Sequence, residues 1–120
     1  MTIKLSIIIP SFNPKKSFFS NLFKIDKFCK SRKDVEIIII DDFSYKKIEI
    51  NKKLDSKIHI IRNKDNYGPG ISRNIGIKKS TGEYILFLDS DDILSKNSVN
   101  KIFDYLNKYK NVQLFGYDHK

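Results

Sequence analysis

Hydrophobic positions along the chain alternate between two periods. Leu5, Ile7, Ile8 and Ile9 make a short β-branched run closed by Pro10, which predicts a strand over residues 5–9. Asn13-Pro14 predicts the opening of a helix, with Asn as N-cap and Pro in the first turn. Phe18, Phe19, Leu22, Phe23 and Phe28 would line its apolar stripe. Residues 35–40 are apolar at consecutive positions, as a strand covered on both faces requires. A short helix is expected over 48–54 and a third strand over 57–61. Residues 70–80 read as a helix stopped by Thr81-Gly82, followed by a strand over 83–88. Val99, Ile102, Phe103 and Leu106 recur at i, i+3, i+4 and i+7 behind Ser95, predicting a capped helix over 96–109. A last strand is expected over 112–117. Strands alternating with helices argue for an α/β fold: a Rossmann-like, mostly parallel sheet with helices on both faces. No linker, internal repeat or low-complexity tract interrupts it, so residues 1–120 read as a single domain.

Composition narrows the class. With 40% hydrophobic residues the chain is too apolar to be disordered, even at 31% charged. The longest aliphatic run is the four isoleucines 37–40, far short of the roughly 20 apolar residues of a membrane span. The first residues reach Pro10 without the apolar core of a signal peptide. A lone cysteine, Cys29, excludes an internal disulfide, a CxxC redox pair and a Cys-rich zinc site, and makes a reducing, cytoplasmic location the default. It is expected in or beside the core of the first helix.

The formal net charge is +9. It suits phosphate-bearing partners and is compatible with peripheral contact with an anionic membrane at its inner face. The lysines are scattered and only three residues are arginine, so no specific nucleic-acid binder is indicated.

Candidate chemistry follows the strands. In an open parallel α/β sheet, ligands bind beyond the carboxyl ends of the strands. There the chain places Pro10-Ser11-Phe12-Asn13, then Asp41-Asp42-Phe43-Ser44, then Arg62-Asn63 and Asn66-Tyr67-Gly68-Pro69-Gly70, then Asp89-Ser90-Asp91-Asp92. Five aspartates would meet at one rim, where mutual repulsion calls for a cation, a ligand with donors, or both. Asp89-x-Asp91-Asp92 has no companion His or Cys, so Mg²⁺ or Mn²⁺ fits better than zinc. An EF-hand loop is excluded, because Ile93 and Leu94 stand where a ligand and a glycine are wanted. The bland alternative is that these acids cap the following helix. Asp41 and Asp42 fit a nucleotide contact or a turn equally well, Phe12 a base-stacking ring or a core ring, and Arg73 a diphosphate contact, a partner for a rim carboxylate or a solvent-facing charge. Gly68 and Gly70 form no P-loop; Gly76 would let its helix approach the sheet.

Four segments together resemble the nucleotide-binding half of family 2 glycosyltransferases of the GT-A fold. They are residues 5–13 (LSIIIPSFN), 35–44 (VEIIIIDDFS), 66–76 (NYGPGISRNIG) and 82–92 (GEYILFLDSDD). The resemblance implies a GT-A three-layer sandwich and transfer of a sugar from a nucleotide-diphosphate donor, commonly a UDP-sugar, with Mg²⁺ or Mn²⁺. It places Pro10 and Phe12 beside the base, Asp42 on the base, and Arg73 and Asn74 along the nucleotide. The DxD-type motif would set Asp89 or Asp91 near the ribose and Asp91 or Asp92 on the metal. Family members are usually much longer, with an acceptor site and a catalytic base in a second half that this chain is expected to lack. A non-catalytic nucleotide-sugar-binding module is therefore the first alternative. A receiver-like phosphoprotein fits less well, since its acidic pair follows the first strand. A nucleotidyltransferase would need a Gly-rich basic loop after that strand.

Overall fold

In a computed structural model, the structure describes residues 2–30, 32–92 and 94–108. Four strands form one parallel sheet: β1 (Leu5–Ser11), β2 (Val35–Asp41), β3 (Lys57–Arg62) and β4 (Tyr84–Phe87), in the order β3-β2-β1-β4. Three helices join them: α1 (Lys16–Phe28) after β1, α2 (Pro69–Lys79) between β3 and β4, and α3 (Lys96–Lys108) after β4.

The isoleucines explain the layering. Successive strand side chains point to opposite faces. Ile7, Ile9, Ile37 and Ile39 accordingly join one buried cluster with Phe18, Leu22 and Ile25 of α1 and Val99, Ile102, Phe103 and Leu106 of α3. Ile8, Ile38 and Ile40 join the other, against Ile61, Ile75 and Ile85 under α2. Each such side chain contributes about 1.5–3 kcal/mol when fully buried. The expected sandwich of helix, sheet and helix is therefore present. Gly76 lets α2 lie close: a Cβ there would stand 2.5 Å from Cγ2 of Ile8. At the opposite end of the sheet, buried Glu36 accepts hydrogen bonds from Ser6 Oγ (2.6 Å) and Thr81 N (2.7 Å), securing the turn after α2.

Pro10 shapes the rim. Ile8 turns its carbonyl toward β4, where it accepts from Leu88 N (2.9 Å). Two residues on, Pro10 faces the same side without an N–H. β4 pairs with β1 only from Leu5 to Ile8 and then departs, while β2 stays paired through Ser11. The ladder between β1 and β4 thus ends before the rim, at the place where the sheet order doubles back.

Several expectations need correction. Residues 48–54 form no helix; the stretch is held at its start by Ile48 N donating to Asp41 Oδ2 (3.0 Å), and just beyond its end Asp55 N and Ser56 N donate to the Asp26 carboxylate (3.2 and 2.6 Å). Asn13 is not the N-cap of α1. That place is Lys15, without a side-chain bond, whereas Asn13 sits at φ 47° and ties two loops together. β4 is shorter at both ends than the expected strand, and α2 ends at Lys79 before Thr81-Gly82 is reached. The Ser95 cap is present, its Oγ accepting from Ser98 N (3.1 Å). The expected strand over 112–117 and position 109 lie outside the described residues.

Candidate functional site

All four strands run the same way, so their carboxyl ends share one edge. The five aspartates at that edge are not equivalent. Asp41 is fully buried at the end of β2. Its Oδ1 accepts from Ser44 N (2.9 Å); its Oδ2 accepts from Ile48 N (3.0 Å) and Arg62 Nη1 (2.8 Å). Burial alone would push this carboxyl up. The hydrogen bonds from Ile48, Ser44 and Arg62 outweigh it and hold the group below the ordinary aspartate value. Asp42 is also buried and knits the next loop: Oδ1 accepts from Asn63 Nδ2 (2.9 Å) and Tyr67 N (2.8 Å), Oδ2 from Gly68 N (2.9 Å). Asn63 Nδ2 also donates to Ser72 Oγ (3.1 Å) on α2. Asp42 thus fixes the entry to α2.

The carboxylates after β4 differ. Asp89 and Asp91 are exposed and Asp92 is half-buried. Asp92 N donates to Asp89 O (3.0 Å), and Asp92 Oδ2 accepts from Asp89 N (3.3 Å), closing a tight turn. Arg73 Nη2 reaches from α2 to Asp89 Oδ1 (3.1 Å). Both groups are more than a third exposed, so this pair is worth at most about 1 kcal/mol and is readily exchanged for a ligand. Arg73 therefore meets a rim carboxylate, one of its expected fates. Asn74 is exposed on α2, and Pro10 is buried in β1. Phe12 is 52% exposed at the rim and so is not a core ring.

The rim loops form one connected unit. Asn13 N donates to Ser44 Oγ (2.9 Å) and Tyr45 N to Asn13 Oδ1 (2.8 Å), joining the loops after β1 and β2. Asp42 joins the second loop to α2, and Arg73 joins α2 to the Asp89 turn. Repulsion among the five acids is thus relieved for Asp41 and Asp42 by backbone N–H groups, Asn63 and Arg62, without a cation. Among the described residues, no three His, Cys, Asp or Glu side chains stand together as a ready metal cage. The donor set still fits a magnesium-type ion, which usually takes one or two carboxylates and fills its shell with phosphate oxygens and water. Asp91 and Asp92 supply hard oxygens on an accessible turn.

Sequence reasoning did not single out Arg62 or Phe43. Arg62 Nη2 also donates to Ser44 O (3.0 Å), and its guanidinium lies 5.3 Å from the Phe43 ring centre. Phe43 adopts φ 63°, which costs a non-glycine residue about 1–2 kcal/mol. Nothing local in the sequence marks that backbone conformation.

A profile for Glycosyl transferase family 2 matches residues 6–119. The chain belongs to that family. An uncharacterized glycosyltransferase of Haemophilus influenzae is 31% identical over 116 residues, which are 97% of this chain and 39% of that protein. The poly(ribitol-phosphate) beta-N-acetylglucosaminyltransferase TarP of Staphylococcus aureus is 32% identical over 106 residues, 85% of this chain and 32% of TarP. The chain thus spans between about a third and two-fifths of these relatives' length. Among solved structures, S. aureus TarS 1-349 in complex with UDP-GlcNAc superposes with a TM-score of 0.75 at 26% identity, covering 90% of this chain and 33% of the TarS chain. The mannosyltransferase PcManGT of Pyrobaculum calidifontis, solved with GDP-Man and Mn2+, gives a TM-score of 0.72 at 15% identity over 88% of this chain and 33% of its own, a likeness of fold. The fold of this family 2 chain is the GT-A fold. Among the described residues, no helix is long and apolar enough to cross a membrane.

Proposed function

We propose that this chain is the donor-binding part of an inverting glycosyltransferase. It holds a nucleotide-diphosphate sugar, in the first instance a UDP-sugar, together with Mg²⁺ or Mn²⁺. The sugar passes to an acceptor hydroxyl on a glycan or lipid-linked sugar. One observation carries the reading: the Asp42 loop, α2 and the Asp89 turn are bonded into a single rim at the carboxyl ends of the strands, where the β1–β4 ladder ends. The UDP-GlcNAc in the similar TarS structure supports a UDP-sugar as first candidate.

The roles divide by burial. Asp41 and Asp42, with their hydrogen bonds committed to the backbone, Asn63 and Arg62, hold the loops in place, and Asp42 acts toward the base by fixing the loop beside it. Phe12 lies beside the base. Asp89 sits nearest the ribose, where exchange of its pair with Arg73 frees a carboxylate for a hydroxyl and a guanidinium for a phosphate. Asp91 and Asp92 would hold the metal. When bound, the ion neutralises the charge that grows on the departing diphosphate. Inverting transfer also needs a base on the acceptor hydroxyl. We assign that base to none of the described residues. A reducing compartment suits the lone buried thiol, and the cytoplasmic side of a membrane is the expected workplace.

Calorimetric titration of UDP with and without Mn²⁺, followed by a UDP-sugar hydrolysis assay, tests the reading. Metal-dependent binding supports it. Binding without turnover assigns the chain to donor binding alone. Absence of binding by any nucleoside diphosphate refutes it.

A further inference from the structure

Besides the fully exposed Tyr45, aromatic rings stand part-exposed along this rim at Phe12 (52%), Phe43 (46%) and Tyr67 (41%). Phe12 and Tyr67 have ordinary backbones. Phe43 does not; its φ of 63° is a conformation that glycine would adopt without strain. Strained residues persist only where their surroundings over-determine them, and they gather at ligand sites. Here the residue after Phe43 is pinned from both sides: Ser44 N donates to Asp41 Oδ1 (2.9 Å) and Ser44 O accepts from Arg62 Nη2 (3.0 Å). Packing does not account for a phenylalanine there. Nearly half of the residue is in water, and its contact with the Arg62 guanidinium is of the exposed cation–π kind, too weak to offset the strain.

We propose that Phe43 is a specificity-determining residue of the donor site, its ring forming a wall for the planar base of the nucleotide. The inference rests on the donor-binding reading and adds to it a residue and a direction. Arg62, locked to Asp41, backs the ring. Asp42 is the adjacent residue; its carboxylate accepts from Tyr67 N (2.8 Å) and its N–H donates to Ser11 O (2.9 Å), so the segments bearing the three rings meet at one buried residue. Aromatic faces stack on any base, so the ring would favour nucleotides over bare phosphates without choosing among bases.

The test uses the chain as it stands. UDP and inorganic pyrophosphate are each titrated, with Mn²⁺, into wild type, Phe43→Gly, Phe43→Asn and Phe43→Trp. Tyr45→Ala, from the fully exposed ring on the same loop, is the control. Loss of the ring is expected to weaken UDP binding about tenfold or more and to leave pyrophosphate within about twofold. The Gly variant should melt at or above the wild-type temperature, since strain is relieved. Asn, which tolerates the same backbone, checks that result, and Trp should retain UDP. The proposal is overturned if Phe43→Gly or Phe43→Asn binds UDP within about twofold of wild type, or if melting temperature and both affinities fall together. A wild-type chain that binds no nucleoside diphosphate removes the donor reading along with it. UDP binding that survives loss of the ring removes this inference alone.

Discussion

Replacing Asp41 by Asn tests whether the rim is held by the bonds described for it. The side chain keeps its shape and loses its charge and one acceptor. An amide nitrogen at the Oδ2 position would confront two donors, Ile48 N–H and Arg62. At the Oδ1 position it confronts one, Ser44 N–H. The second arrangement is the cheaper. It still strands a buried N–H, a cost of about 1–3 kcal/mol. The weakened bond to Arg62 adds less, because that side chain is 32% exposed and its charge is screened. A loss of roughly 2–4 kcal/mol is expected from a total of about 5–15. Urea unfolding followed by circular dichroism at neutral pH measures it. The pH dependence has a definite sign. The folded carboxyl lies below its ordinary value, so its contribution is complete above the unfolded aspartate range and disappears as pH falls through the folded value. The gap between wild type and Asp41→Asn should therefore close on acidification. A neutral-pH loss under about 1 kcal/mol would refute the assignment of Asp41 as the anchor of its loop, as would a gap unchanged down to strong acid.

Other outcomes follow from the same geometry. Asp91→Ala, on an exposed side chain, should abolish the Mn²⁺-dependent part of UDP binding while leaving the urea midpoint unchanged; an equal fall in both would make Asp91 structural. Gly76→Ala should destabilise by about 1–3 kcal/mol, since the new methyl meets branched Ile8 in a packed layer, and thermal unfolding reads the shift. The Cys29 thiol is buried and pushed up to about 11, burial being the main cause, so a thiol reagent at neutral pH should react with it only when urea opens the fold.

The two inner strands, β1 and β2, were legible in the sequence for a physical reason. A parallel strand covered on both faces must be apolar at successive positions, and few other settings call for four consecutive isoleucines. The α3 stripe and its Ser95 cap were local signals and reappear in place. The stretch 48–54 misled because it is tied down at both ends by carboxylates outside it, Asp41 at Ile48 and Asp26 at Asp55 and Ser56, which no local pattern reveals. Topology brought the acidic residues to one edge, as the motif order implied. Their sorting into buried anchors and an accessible turn was not legible, since nothing in a run of aspartates reveals which side chain faces a backbone N–H. Phe43 left no trace because positive φ is signalled by glycine or asparagine, as at Gly68 and Asn13, and a phenylalanine gives no sign of it.

The sheet order also bears on how the chain is made. β1 emerges first and occupies an inner place, with β2 on one flank and β4 on the other. Its partnership with β2 closes early, whereas Leu5 meets Tyr84 only after most of the described chain has been synthesised. Until then one long, isoleucine-rich flank of β1 is a free template for any extended segment nearby. Such distant parallel pairing is slow to form. Ribosomes that stall before Tyr84 should release sticky fragments, and a chaperone that shields extended apolar strands should raise the yield of folded protein.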